Sequence, residues 1–253
     1  MKSMKTLMRA GLTLMLVFSS GCSSLAGTRQ TELARRHLQS SADFLAQREY
    51  GQAIEFAQAA LASDPSLAAA QNLMALVYLE TKRYDRAEEA FHRALELQPN
   101  YPEVFNNLGV LYNRQERFEE AIPFFQKALA DDNYLTPENA YTNMGYALYR
   151  LGRYPDALTA HQKALDIAPL FCLASKNMAD VYAKQKFYPK ASQYYEKALS
   201  TCPLYQESHY KLGLVLMKMG QRKNARARLE KLVQRHKTGH YVERSAEVLK
   251  WLK

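Results

Sequence analysis

Residues Pro102–Leu135 read PEVFNNLGVLYNRQERFEEAIPFFQKALADDNYL, and the stretch specifies two helices joined by a turn. In its first half, Phe105, Leu108 and Tyr112 stand at i, i+3 and i+7, an apolar stripe that predicts a helix over Pro102–Arg114. In its second half, Ala121, Phe125 and Ala128 stand at i, i+4 and i+7, which predicts a second helix. Gly109 falls where two antiparallel helices must approach closely, and a side chain there would hold them apart. The alanines of the second helix let a following hairpin dock, and Phe125 fills the space between helices.

The pattern returns along the chain. Ala53, Ala87 and Ala121 lie 34 residues apart, Ala157 comes 36 later, and Ala191 and Ala225 resume the 34-residue step. An aromatic stands three residues before five of these alanines (Tyr50, Tyr84, Phe118, Tyr154, Tyr188), and Ala60, Ala94, Ala128, Ala164 and Ala198 stand seven after. The residues in phase with Gly109 are Ser41, Ala75, Gly145, Ala179 and Gly213, all small. Pro65, Pro99, Pro169 and Pro203 also keep phase; proline cannot continue a helix and biases the residue before it away from helical geometry, so each closes a second helix. A 34-residue period with small residues at fixed offsets is the signature of stacked helix–turn–helix units.

These residues resemble the tetratricopeptide repeat family, whose pattern places an aromatic, Leu-Gly, Tyr, then Ala, Phe, Ala and Pro at the same offsets. The resemblance implies an all-α, right-handed superhelical solenoid. Six copies are expected at 34–67, 68–101, 102–135, 138–171, 172–205 and 206–239, with Thr136 and Pro137 as an insertion that lengthens one turn. Residues 240–253 form a capping helix, with Val242, Ala246, Leu249 and Leu252 on one face. The end copies diverge, with Ser40 where leucine is usual and Leu229 and Leu232 in place of Phe and Ala, as terminal repeats do. No Gly- or Pro-rich linker divides the repeats, and one solenoid is expected.

Residues 1–21 stand outside the period. Lys2, Lys5 and Arg9 form a basic start, Ala10–Phe18 is uncharged and mostly apolar, and Ser19-Ser20-Gly21 leads to Cys22. This is the layout of a secretion signal, with an apolar run far short of the ~20 residues that span a bilayer. The bland reading is an unprocessed extension. The junction resembles the bacterial lipoprotein box, with Ser19 where leucine is usual; that resemblance implies cleavage before Cys22 and acylation of it. Ser23, in place of aspartate, favours the outer membrane by the same resemblance. Residues 22–33 would be a flexible tether. Two or three acyl chains together hold a soluble domain firmly at a membrane surface.

Two other cysteines, Cys172 and Cys202, occupy positions 1 and 31 of one repeat. The start of a first helix lies beside the end of the second, which predicts a disulfide suited to an oxidising compartment and a stabilisation of about 3–4 kcal/mol. The alternative is two ordinary buried thiols.

No catalytic or metal constellation stands out. His236 and His240 have i, i+4 spacing, but Gly239 interrupts the helix and no thiolate or carboxylate companion is close. His161 takes a position that is usually Phe in the family and reads as packing. No phosphate-cradling loop occurs. An enzyme, a cofactor, a metal and a small-molecule substrate are therefore not expected. The formal charge of +9 falls to +6 without residues 1–21. Between Arg222 and Lys237 seven Lys or Arg accompany a single acid, Glu230. Without interleaved aromatics this does not read as nucleic-acid binding; it reads as a solvated face, or as a contact for anionic head groups or an acidic partner.

The family's groove positions fall on Arg35, Leu38 and Leu45, then Asn72, Leu76 and Leu79, then Asn106, Val110, Asn113 and Arg114. Copies four and five add Tyr146, Tyr149, Arg150, Lys176 and Asp180, while Asn107, Asn143 and Asn177 form an in-phase asparagine series. The early copies suit an apolar peptide; the amides and arginines suit backbone groups and carboxylates. Singly, such residues are more often just solvated.

Six such repeats behind a lipoprotein signal resemble the type IV pilus pilotin lipoproteins. That resemblance implies an outer-membrane, lipid-anchored, periplasmic protein whose partners are secretin subunits, the membrane through acylated Cys22, and no nucleic acid. Alternatives are a lipoprotein of the outer-membrane barrel assembly machinery or a generic repeat adaptor.

Overall fold

The computed structural model describes residues 29–252. Residues 1–28, which hold the expected signal and Cys22, lie outside the described residues. Thirteen helices and no strands occur among the described residues, an all-α array of helical hairpins as the period predicts. None of these helices is long and apolar enough to cross a membrane. The chain divides into two compact units, Met1–Val104 and Phe105–Lys253.

The described part of the first unit comprises α1 (residues 29–46), α2 (Tyr50–Ser63), α3 (Ala68–Glu80), α4 (Tyr84–Leu97) and the start of α5 (Pro102–Arg114). Helix α1 already runs through 29–33, which the sequence reading gave to the tether. Ala53, Ala57, Ala75, Ala87, Phe91 and Ala94 are buried at the helix contacts. Ser41, in the small-residue position, donates its hydroxyl to the Ala53 carbonyl at 2.7 Å, which satisfies a polar group inside the α1–α2 contact.

The second unit carries the rest of α5, then α6 (Phe118–Leu129), α7 (Pro137–Arg150), α8 (Tyr154–Ile167), α9 (Cys172–Lys184), α10 (Tyr188–Thr201), α11 (Gln206–Lys218), α12 (Arg222–Arg235) and α13 (His240–Trp251). From α6 onward each helix packs on the next, and α13 also packs on α11. A Cβ at Gly109 would lie 2.5 Å from the Phe125 ring, at Gly145 2.5 Å from His161, and at Gly213 2.5 Å from Leu229. The close approach inferred from Gly109 thus recurs, always against the residue 16 places on. Helix α13 caps the end through Val242 against Tyr210, Leu229 and Leu232. The prolines act as expected: Asp64 and Gln98, each before a proline, are extended C-caps. Copy three lacks that proline, and α6 stops early at Leu129. Pro137 is not part of a longer turn: Thr136 is the N-cap of α7 and Pro137 starts the helix, where its missing N–H costs nothing.

Inside every hairpin the chain reverses through one left-handed residue: Arg48, Lys82, Glu116, Gly152, Lys186 and Gly220, with φ between 59° and 76°. The next residue donates to the carbonyl five back, as Arg117 does to Tyr112 at 2.9 Å and Phe187 to Tyr182 at 2.9 Å. This is the Schellman closure, which satisfies carbonyls that end the first helix.

Candidate functional site

The first helices of the second unit carry the expected groove positions, and the structure sorts them into two clusters. The first lies between α5 and α7. Asn143 donates its amide to the Asn106 side-chain oxygen at 3.2 Å, and Asn113 donates to the Asn143 carbonyl at 3.1 Å. Asn107 sits beside them, half-buried. One turn on, Arg150 donates to the Tyr146 hydroxyl at 2.7 Å and to the Glu116 carboxylate at 3.0 Å. These two acceptors, Glu116 first, hold the guanidinium pKa above its usual value. The Arg150 guanidinium also lies 4.6 Å from the Phe118 ring centre, a cation–π contact that orients its plane. Together Val110, Asn113, Arg114, Glu116, Asn143, Tyr146 and Arg150 line a cavity of about 310 Å³. Six of these seven were expected at the groove: Val110, Asn113, Arg114, Asn143, Tyr146 and Arg150. Amide donors and acceptors, a phenol and two guanidinium groups around one cleft can hold an extended backbone and a carboxylate.

The second cluster, between α9 and α11, is charge-paired, and its Asp180, Tyr195 and Lys211 line a cavity of about 320 Å³ together with Tyr149, Lys184 and Leu214. Lys211 donates to both Asp180 oxygens at 2.9 Å and pairs with Glu207 at 2.7 Å. Lys176 reaches the same two acids at 3.3 and 3.5 Å, and the Tyr195 hydroxyl donates to Asp180. Two cations face two anions. Burial opposes the charge on Lys211, yet Asp180 and Glu207 win and its pKa rises. Burial likewise pushes Glu207 up, but Lys176 and Lys211 bring its pKa below the ordinary value. The Tyr195 phenol is forced upward by burial and by Asp180. Lys176 and Asp180, expected in the groove, are thus committed to each other.

Other expected residues are placed away from a partner's reach. Leu79 is 2% exposed, Asn177 8% and Asn72 9%. Leu79 belongs to the core of the first unit, and the Asn72 amide is engaged by the Tyr101 phenol. Leu38, Leu45 and Leu76 are partly exposed. In the first unit the apolar strip therefore keeps three of its four leucines.

Cys172 begins α9 and Cys202 caps α10, and their sulfurs are 2.04 Å apart with Cα atoms at 6.0 Å. His161 is fully buried against Gly145, and neither ring nitrogen has a hydrogen-bond partner among the described residues. Burial, helped by the Lys176 charge, lowers its pKa to about 3, so the ring is a neutral packing group. Glu116, Tyr195, Glu207 and Lys211 are site residues that sequence reasoning missed. The i, i+4 pairs Lys176/Asp180 and Glu207/Lys211, in opposite charge order on successive first helices, were a readable signal.

The repeats match known proteins. Sequence models described as tetratricopeptide repeat match residues 66–133, 138–170 and 207–238, and one described as TPR repeat matches 179–220. An uncharacterized protein, ycf37 of Pyropia yezoensis, is 30% identical over 69 residues, 27% of this chain; the match spans 39% of that relative's length. Among solved structures, PilW, described as a widely conserved type IV pilus biogenesis factor, is 26% identical with a TM-score of 0.77, covering 83% of this chain and 96% of its own. PilF of Pseudomonas aeruginosa has a TM-score of 0.74 at 24% identity, covering 86% of this chain and 99% of its own. The Cut9–Hcn1 tetramer of the APC/C reaches 0.75 at 16% identity, covering 90% of this chain and 45% of that one, a likeness of fold alone.

Proposed function

The chain belongs to the tetratricopeptide repeat family, and from that premise we propose that it is a pilotin: an outer-membrane lipoprotein that binds secretin subunits and promotes their localisation and multimer assembly for type IV pilus biogenesis. Proteins of this family bind peptide or protein partners, and nothing in this chain shows catalytic activity. One observation carries the reading: the likeness to the pilus biogenesis factor PilW extends over nearly all of that chain at 26% identity. The Ser19-Ser20-Gly21-Cys22 junction supports lipid anchoring, and the paired Cys172 and Cys202 accord with an oxidising periplasm.

The division of labour is physical. Acyl chains on Cys22 hold the protein at the inner face of the outer membrane. The α5–α7 cleft takes an extended segment of an unassembled secretin subunit, with Asn106, Asn107 and Asn143 toward its backbone and Arg114 and Arg150 toward an acidic group. Covering that segment keeps an open strand edge from pairing wrongly before the subunit reaches its neighbours. Deletion of the gene, followed by comparison of the heat-resistant secretin multimer with total outer-membrane proteins, tests this. Loss of the multimer with porins unchanged is expected. Normal multimer overturns the reading, and a general loss of porins moves the protein to the barrel assembly machinery. Mass spectrometry of the mature amino terminus should find acylated Cys22; an unmodified cysteine removes the anchor.

A further inference from the structure

We propose that the outer surface of α12 and α13 is a second membrane-contact site, one that docks on anionic phospholipid head groups. The charge of the chain is distributed very unevenly. Of the formal +9, residues 1–21 hold +3 and residues 222–253 hold +7, which leaves −1 for residues 22–221. The last two helices therefore carry all of the excess positive charge outside the amino-terminal segment. Helix α12 buries Ala225, Leu229 and Leu232 and turns basic residues outward around the remaining faces, among them Arg222, Lys223, Lys231 and Arg235. One cation, Arg226, is paired with Glu230 at 2.8 Å. With three acids in the whole segment, most of its positive charge has no local counterpart.

Two further observations favour a lipid surface over an acidic protein. Trp251, at the end of α13 beside the exposed Lys250, is 88% exposed. An indole left in water has little to gain, whereas at a bilayer interface its apolar body and polar N–H are both accommodated. Beside α12 there is also a hollow of about 370 Å³ whose lining includes Arg228, Lys231, Ser192, Gln221 and Asn224, with Glu196 as its one acid. Two cations with hydroxyl and amide donors can together hold a phosphate ester. Clusters of four to eight Lys or Arg on a helix attract anionic leaflets by about 1 kcal/mol each, or roughly fivefold per charge.

Trp251 is the single tryptophan of the chain, so its fluorescence reports on this site alone. The purified full-length protein is mixed with vesicles of phosphatidylcholine, or of phosphatidylcholine with an equal part of phosphatidylglycerol. A blue shift and protection from iodide quenching are expected with phosphatidylglycerol only, and both should disappear at about 1 M salt, where the screening length is ~3 Å. The Arg228→Gln, Lys231→Gln double variant should need roughly 25-fold more lipid for the half-maximal shift, at fivefold per charge. Emission that is the same on both vesicles overturns the proposal, whether or not the protein is anchored through its amino terminus. So does an undiminished shift in the double variant, provided its helical circular dichroism is unchanged. Anionic-vesicle dependence in a protein that fails the secretin test would leave this site standing and the pilotin reading fallen.

Discussion

The α5–α7 and α9–α11 contacts are built from the same register positions of successive repeats and differ in chemistry. Asn106 and Lys176 are equivalent, as are Asn143 and Lys211, Val110 and Asp180, and Arg114 and Lys184. Where the residues are amides and an arginine, Asn106, Asn113 and Asn143 are hydrogen-bonded beside a cavity of about 310 Å³. Where they are two lysines and two acids, they neutralise each other, and Asp180 and Lys211 also line a neighbouring cavity of about 320 Å³. The disulfide lies in the charge-paired half as well. A groove position in this family is therefore an address and not a function; the chemistry of its neighbour one repeat away decides whether amide bonds or ion pairs form there.

The sharpest way to break that contrast is Asp180→Ala. It leaves two largely buried lysines and the Tyr195 hydroxyl facing one acid and should cost about 3–5 kcal/mol in urea unfolding. A cost below about 1 kcal/mol, typical of surface pairs, would mean the ion pairs contribute no more than exposed ones. Reducing the Cys172–Cys202 bridge should cost about 3–4 kcal/mol, since it ties a 30-residue separation. Thiol counting of unreduced, unfolded protein should find neither thiol free; two free thiols would show that no bridge forms.

His161→Phe tests how far the charge-paired cluster reaches, because Lys176 contributes to the depressed histidine pKa. Phe is the residue that meets Gly109 in copy three, so the ring has a precedent in the same position. Removing two unpartnered buried nitrogens should add about 1–3 kcal/mol. The pH dependence follows from the sign of the shift. With a folded pKa of about 3 and an ordinary value of 6.5, the unfolded chain takes up a proton that the folded one refuses. Stability is full above pH 6.5 and falls by up to about 1.4 kcal/mol per unit as pH drops toward 3. Glu207 adds loss in the same direction below its ordinary value of 4.5. In the Phe variant the slope between pH 6.5 and 5 should flatten; an unchanged slope would assign the loss elsewhere.

At the α5–α7 contact, Asn143→Ala removes one half-buried amide bond and should cost about 1 kcal/mol. A cost as large as that of Asp180→Ala would erase the distinction. The smallest effect is expected at a hairpin turn. Lys186→Gly, at φ 64°, relieves a left-handed lysine and should gain about 0.5 kcal/mol net of the greater freedom of glycine in the unfolded chain. A loss would show that the lysine side chain contributes more than its backbone costs.

The period of Ala53, Ala87 and Ala121 made the hairpins legible because tight helix contacts admit few residue types. Gly109 could be read as a close approach for the same reason. What stayed hidden depended on partners distant in sequence. Asn72, Leu79 and Asn177 carry the family's groove register, yet whether a first-helix residue is covered depends on side chains of other helices, and one copy read singly does not contain them. Lys176 and Asp180 looked like available charges until Glu207 and Lys211, 31 residues on from each, met them. The left-handed turn residues were missed although Gly152 and Gly220 keep the phase, because Arg48, Lys82, Glu116 and Lys186 hide the position behind ordinary charged side chains.

Glu116 stands at one of those left-handed joints and binds Arg150 from there. An acid so placed does for the guanidinium what a visiting carboxylate would do, which makes it a built-in understudy for the ligand. A solitary small anion that displaced it would exchange one contact for an equivalent one and would not stay. Only a chain that also engages the asparagines gains enough to dislodge the incumbent, so the threshold for occupancy, and with it the ability to ignore stray anions, is set by a residue of the protein itself.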